Sequence, residues 1–352
     1  MAEAVSRRAV LVGTLGLAVA GCDSPTPQAM ALHQGGVTTP PLAAMELVAF
    51  DATVGDRGGL ARVLAQVGEA GGPDGTITVS VGASLFDDRF GLQGRKPRGL
   101  VPMPTFPSDV LDEAWCHGDL AVQICADSPA QAAAVADQVV AIHGLALRWR
   151  MPGFRNDNRV DANGKPSATN LFGFKEGAGN PDDPDQFVWA GPDEPAWAAG
   201  GSYQVVRLIR FAMPLWDADP VPRQEAVFGR GKAGNAPLGR DRETDEPDFS
   251  GDPDGVITPL DAHIRRANPR TPESMANRIL RRAYSYRRPV DAAGHEDVGL
   301  LFVCYQRDVE RGFAAIQRRL EGEALQKYVL TFGGGYYFTL PGGALGGSLP
   351  VS

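Results

Sequence analysis

Two short stretches of the chain carry residue types that fit one reaction together. The first is the glycine-rich turn Gly173-Phe174-Lys175-Glu176-Gly177-Ala178-Gly179-Asn180-Pro181, which sets a carboxylate among glycines. The second is His263-Ile264-Arg265-Arg266-Ala267-Asn268-Pro269-Arg270, followed by Arg281-Arg282-Ala283-Tyr284-Ser285-Tyr286. An imidazole can hold iron and leave the opposite face of the metal open. A guanidinium can stabilise negative charge as it develops, and a carboxyl group can move a proton. Cleavage of H2O2 at a haem iron asks for these three. One peroxide oxygen must lose a proton and the other must gain one, and a single poised carboxyl can do both transfers.

The bulk numbers narrow the field. The 352 residues carry a formal net charge of −8, and a sequence pI near 5.2 argues against a nucleic-acid partner, which would want a basic patch. The length suits two ordinary domains. With 43 glycines and 28 prolines, many turns and irregular connections are expected. The four cysteines, Cys22, Cys116, Cys125 and Cys304, form no CxxC pair and no disulfide scaffold. Five histidines leave few choices for a metal ligand.

The N-terminus reads as an address. Ser6-Arg7-Arg8 precedes an uncharged run from Ala9 to Ala20, too short to span a bilayer, and the pair of arginines resembles a twin-arginine export signal. Val19-Ala20-Gly21-Cys22 resembles a lipobox, with Cys22 as the lipidated residue. Simple cleavage nearby, without lipid, is the alternative. Twin-arginine export carries folded proteins, which suits a protein that takes up its cofactor before export. Residues 1–41 are therefore expected to be signal and tether.

Along the rest of the chain, Met45–Phe50 reads as a strand, and Leu60, Val63, Leu64 and Val67 fall at helical spacing before Gly71. Thr76–Val81 and Leu120–Ala126 alternate as strands with one buried face do. Ser128-Pro129 looks like a cap and first turn, Val135, Val139 and Ile142 make a stripe, and Leu145–Arg150 follows as a strand. The order is β-α-β-β-α-β, the ferredoxin-like pattern. It returns less clearly: strands at Tyr203–Phe211, Leu300–Tyr305 and Tyr336–Leu340, and a helix capped by Asp308 with the stripe Val309, Phe313, Ile316 and Leu320. Both His263 and Arg281 fall in a long stretch of mostly irregular sequence between these elements. The expected class is α+β: an N-terminal ferredoxin-like domain over 42–195 and a C-terminal one over 196–352.

These motifs resemble the dye-decolourising peroxidase (DyP-type) family, closest to its exported deferrochelatase-type branch. The resemblance covers nearly the whole mature chain. It includes His33-Gln34-Gly35-Gly36, Ser84-Leu85-Phe86-Asp87-Asp88-Arg89-Phe90-Gly91-Leu92, Cys116-His117-Gly118-Asp119 and Gly200-Gly201-Ser202-Tyr203-Gln204. It runs on through Phe228-Gly229-Arg230, Gly299-Leu300-Leu301-Phe302-Val303-Cys304-Tyr305-Gln306 and Gly333-Gly334-Gly335-Tyr336-Tyr337-Phe338. The resemblance implies a pair of ferredoxin-like domains in a dimeric α+β barrel fold, and haem b as cofactor. His263 matches the proximal ligand to the iron, Glu176 the distal acid and base, and Arg281 the distal arginine. Gly177, Ala178 and Gly179, with Asn268, Pro269 and Arg270, match positions that line the haem. Asp297 is a candidate for the acid behind the proximal histidine, where a carboxylate would accept the ring N–H. H2O2, an aromatic electron donor, the twin-arginine machinery and a second copy of the chain are the implied partners.

The chain departs from the family at one position that bears on chemistry. The family's turn carries Asp where this chain has Glu176. One added methylene moves the carboxyl group by about 1.5 Å if the side chain extends, and misplacement of about 1 Å can cost on the order of a hundredfold in rate. Two other functions remain open at the level of sequence: release of iron from haem with the porphyrin intact, and haem carriage without catalysis. His117 beside Cys116, with Cys125 nearby, fits no common zinc spacing and reads as packing. Cys304 reads as a buried inert thiol and His295 as a solvated loop residue. Of the basic cluster after His263, Arg270 and Arg281 are expected to face inward.

Overall fold

The computed structural model describes residues 32–349 apart from positions 72–74, 161–163, 165, 291–293, 295, 344 and 348. The paired arginines, the apolar run after them, Cys22 and His295 lie outside the described residues.

The first set of elements is β1 (Ala44–Ala52), α1 (Arg57–Glu69), β2 (Gly75–Gly82), β3 (Leu120–Ala126), α2 (Pro129–Val140) and β4 (Leu145–Phe154). Local chemistry sets the helix starts: Asp56 accepts the Gly59 N–H ahead of α1, and Ser128 accepts the Gln131 N–H ahead of α2, with Pro129 in its first turn. Leu60, Val63, Leu64 and Val67 bury one stripe of α1. The strands lie side by side in the order β4-β1-β3-β2, all antiparallel. That is the ferredoxin-like arrangement. Every residue of β3 is buried, not one face alone. A central strand with helices on one side and a closed interior on the other has no solvent face.

A connection follows with a small three-stranded sheet, β5 (Asn156–Val160), β6 (Pro166–Thr169) and β7 (Lys175–Glu176), and a short α3 (Asp185–Val188). Residue 195, near which the sequence pattern suggests a division, comes after α3.

The second set starts with β8 (Ser202–Phe211). Four short helices come next: α4 (Met213–Asp217), α5 (Val221–Phe228), α6 (His263–Ala267) and α7 (Pro272–Ala276). Then come β9 (Leu280–Arg281), β10 (Tyr284–Arg288), β11 (Asp297–Gln306), a π-helical turn at Glu310–Ala314 running into α8 (Ala315–Arg319), and β12 (Val329–Thr339). The order β12-β8-β11-β10 repeats that of the first set. β2 pairs with β12, and Ser285 of β10 pairs with Phe154 of β4, so the sheet closes into a barrel. β9 and β10 are the strands that the sequence pattern concealed. Arg281, Arg282, Arg287 and Arg288 break any apolar alternation there. The expected capped helix begins instead as the π-helical turn, with Asp308 accepting the Arg311 N–H.

Alternation along β8 and β11 divides their side chains between two environments. Val206, Leu208, Leu301 and Val303 pack inside the barrel with Leu47, Ala49 and Met151. Ile209, Phe211, Leu300 and Phe302 face the other way and line a cavity.

Candidate active site

The histidine is placed by packing around a short helix. The carboxylate of Asp252 accepts the amides of Val256, Ile257 and Thr258 and the guanidinium of Arg265, which ties down the segment leading into α6. The Thr258 amide is the largest influence, and against desolvation this set holds the Asp252 carboxyl below the usual range. Gly229 follows α5 with φ +83, where a Cβ would stand 2.8 Å from Ile264, so glycine lets α5 and α6 approach. The Phe228 ring lies 5.9 Å from the His263 ring. His263 Nδ1 meets Glu323 Oε2 at 2.6 Å, and Nε2 has no hydrogen-bond partner among the described residues. Burial opposes charge on the ring, but the Glu323 carboxylate outweighs it and raises the His263 pKa above its ordinary value.

The carboxylate on the glycine turn sits on a hairpin. β6 and β7 pair Ala168 with Glu176 and Thr169 with Lys175. Asn170 builds the loop between them: its Oδ1 accepts the Phe174 N–H at 3.1 Å, and its Nδ2 donates to Glu176 Oε1 at 2.8 Å. Arg281 is held by Asn180, whose Oδ1 accepts the Arg281 N–H at 3.0 Å and whose Nδ2 donates to the Arg281 carbonyl at 2.9 Å. A Cβ on Gly179 would stand 3.1 Å from Arg281 Nη2, so glycine there makes room for the guanidinium.

His263, Glu176 and Arg281 line one cavity, enclosing about 1690 Å³ of empty space, part of it open to solvent. Both Glu176 and Arg281 are close enough to His263 to act on its charge. Ala178, Gly179, Asn268 and Arg270 also line the cavity, whereas Gly177 and Pro269 are not among its lining residues. Arg270 has φ +63 and its Nε donates to Glu246 Oε2 at 2.7 Å.

The acid behind the histidine is a correction. Asp297 is engaged by Arg210 at 3.0 Å and Arg288 at 3.4 Å, with the Tyr286 hydroxyl also on it. Glu323 takes the position against the ring. Sixty residues separate it from His263, and Glu321-Gly322-Glu323 between α8 and β12 has no motif to announce it. Asn170, Asn180, Arg230 and Arg278 are further site residues that spacing did not reveal. Asn180 stands inside the glycine-rich turn, Arg230 in Phe228-Gly229-Arg230 and Arg278 in the basic stretch after His263, but none of these motifs gave the residue a role. His117, Cys116 and Cys125 form no group of three metal-ligating side chains, nor do any others among the described residues. Burial pushes the Cys304 thiol up, in keeping with an inert buried cysteine.

The lining has the character of a slot for a flat apolar anion. Ile209, Phe211, Leu300, Phe302, Leu320 and Val329 supply apolar walls, and of the six cationic side chains Lys175, Arg207 and Arg270 are ion-paired with Glu243, Asp109 and Glu246, which leaves Arg230, Arg278 and Arg281 as the cations to meet an anion. Burial, and then the charge of Arg281, pull Arg230 down to about 10. The buried Nε of Arg278 has no hydrogen-bond partner among the described residues. A buried unpaired guanidinium nitrogen is costly unless something anionic completes it. An imidazole with a free Nε2, a carboxylate orienting it, apolar walls and arginines for two carboxylates fit a haem.

Fold and cavity together define a haem enzyme on a two-part ferredoxin-like barrel. Residues 34–155 match the family model described as Dyp-type peroxidase, N-terminal, and residues 167–344 match Dyp-type peroxidase, C-terminal. The chain belongs to the Dyp-type peroxidase family, a family of haem-dependent oxidoreductases. It is 45% identical over 358 residues to a deferrochelatase of Escherichia coli (strain K12), a match covering 88% of this chain and 82% of that protein. A DyP-type peroxidase from Cellulomonas bogoriensis superposes with a TM-score of 0.82 at 34% identity, covering 92% of this chain and 97% of the other. Ferric DtpA from Streptomyces lividans gives 0.81 at 34%, covering 91% and 94%.

Proposed function

We propose that this peroxidase-family enzyme binds haem b through His263, reduces H2O2 and oxidises dyes or phenolic donors. One observation carries the reading: His263, with Nδ1 taken by Glu323 and Nε2 free, shares a cavity with Glu176 and Arg281. Bound haem would supply the redox-active iron that reacts with peroxide and passes electrons one at a time. The chain's own residues do the rest. Glu323 accepts the Nδ1 proton, which fixes the tautomer with its lone pair on Nε2 and makes the ring a stronger ligand. Glu176, positioned by Asn170, takes the proton from one peroxide oxygen and returns it to the other. Arg281, fixed by Asn180, offers N–H donors to the oxygen on which negative charge grows. Arg270 and Arg278, both in the cavity wall, would be the partners of the porphyrin carboxylates, Arg270 with its other nitrogens since its Nε is held by Glu246. The test is peroxide-dependent oxidation of a phenol or dye by the haem-loaded protein. Turnover that falls in Glu176→Gln and Arg281→Ala supports these roles; equal turnover in all three proteins refutes them.

The name of the 45%-identical relatives favours a second reading, release of iron from haem with the porphyrin left whole. Protein incubated with haem under reducing conditions should then yield the fluorescence of free protoporphyrin; no such signal eliminates it. We propose further that the chain is exported by the twin-arginine route and carries lipid on Cys22, the support being Arg7-Arg8, the apolar run and the residues before Cys22. Mass spectrometry of the mature N-terminus decides the lipid. A homo-oligomer is the proposed assembly, which light scattering tests.

A further inference from the structure

The segment Glu243-Thr244-Asp245-Glu246 ties together two walls of the His263 cavity. Lys175, on the hairpin that carries Glu176, and Arg270, just after α6, both line the cavity, and both keep part of their side chains in solvent. Glu243 pairs with Lys175 at 2.9 Å, and Glu246 pairs with Arg270 at 2.7 Å. Carboxylates on one short segment thus join walls that come from distant parts of the chain. The two ends of the segment are built differently. The Glu243 side chain is only 11% exposed. Besides Lys175 it accepts from the Ser167 hydroxyl and the Asn235 amide, each at 3.3 Å, and its carbonyl accepts from Arg230 at 3.1 Å. Asp245 braces the turn: its carboxylate accepts the Asp241 and Arg242 amides and pairs with the Arg242 guanidinium at 2.9 Å. The Glu246 side chain is 71% exposed, and among the described residues its carboxylate is held by Arg270 alone. One end is anchored, and the other is latched by a single exposed contact.

We propose that this segment is a strap that gates the entry and release of the porphyrin, with the Glu246–Arg270 pair as its latch and Glu243 as its anchor. Such a gate presupposes the haem reading and adds to it the regulation of exchange at that site. An exposed ion pair is weak, so the latch opens readily. The buried contacts of Glu243 keep the strap close by, so it shuts again. Arg270 serves both states: its Nε holds the strap, and its other nitrogens are left for a porphyrin carboxylate. The latch is therefore closed in the empty and in the loaded protein, and open only during passage. A contact common to both end states cancels from the affinity and acts on the two rates alone.

Stopped-flow mixing of haem with the purified protein reads entry from the rise of the Soret band. Transfer of haem from the loaded protein to excess apomyoglobin reads release. Glu246→Gln keeps the size of the side chain and removes its charge; it should speed entry and release alike by about threefold to fivefold, the worth of an exposed ion pair. The dissociation constant should stay within about twofold of the wild type. Added sodium chloride should narrow the gap between the two proteins, since it screens an exposed pair. Asp254→Asn removes an exposed charge from the same long loop without breaking an ion pair among the described residues, and should leave both rates unchanged. If Asp254→Asn speeds them as much as Glu246→Gln does, net charge is the cause and the latch is refuted. Faster release with unchanged entry also refutes it, because Glu246 would then only orient Arg270. A normal Soret band with equal rates in wild type and Glu246→Gln overturns the strap alone, whereas no band in the wild type overturns the haem reading and the strap with it. Circular dichroism checks that each variant is folded.

Discussion

The two halves of the barrel have the same strand order and put it to different uses. Between β1 and β2 the first half runs one 13-residue helix, α1, whose apolar stripe closes against the sheet. Between β8 and β9 the second half runs four helices of five to eight residues joined by irregular chain, and α6 among them brings His263. The first half therefore covers its sheet and gains a core. The second leaves Ile209, Phe211, Leu300 and Phe302 facing a cavity and surrounds it with arginines. A repeated fold can hold a site where one copy gives up a regular helix. The irregular copy carries the chemistry.

Mutations should divide along the same line. The largest loss of activity is expected from Glu176→Gln, which keeps size but removes the acid and base; peroxide turnover should fall by about 10²–10⁴-fold with haem still bound. A fall in haem affinity to match would show that the site is structural instead. Glu323→Gln should cost about 10–100-fold in haem affinity or turnover, because the ring loses its orienting carboxylate. Glu176→Asp should raise turnover by less than about a hundredfold, as the shorter side chain restores the family's reach; a slower Asp variant refutes the idea that Glu is a handicap. At the other end, Leu64→Ala in the fully buried face of α1 should leave haem affinity and turnover unchanged in folded protein. It should cost about 2–5 kcal/mol in denaturant unfolding. If Leu64→Ala weakens haem binding as much as Glu323→Gln does, the division of labour between the halves is wrong.

Legibility in the sequence followed the same division. In the first half the cap at Ser128, the stripe of α1 and the strand segments were plain, because each carries its own local signal; the cap at Asp56 and the burial of both faces of β3 were not. In the second half β9 and β10 were hidden, since Arg281, Tyr284 and Tyr286 owe their places to the barrel and the cavity rather than to a period of two. The motifs around them singled out His263, Glu176 and Arg281, which line one cavity. Glu323 was not, because its role comes from a contact across sixty residues and Asp297 lay in a more suggestive place. The unpaired Nε of Arg278 and the hold of Asn170 on Glu176 are facts of packing alone.

The central claim is that the His263 imidazole grips the iron of a porphyrin seated beside Glu176 and Arg281. Titrating haem into purified wild type and His263→Ala, and following the Soret band, tests it most directly. The account predicts a sharp band saturating near one equivalent in the wild type, and a shifted or lost band in the variant. A variant whose band keeps the same position, intensity and affinity would contradict it.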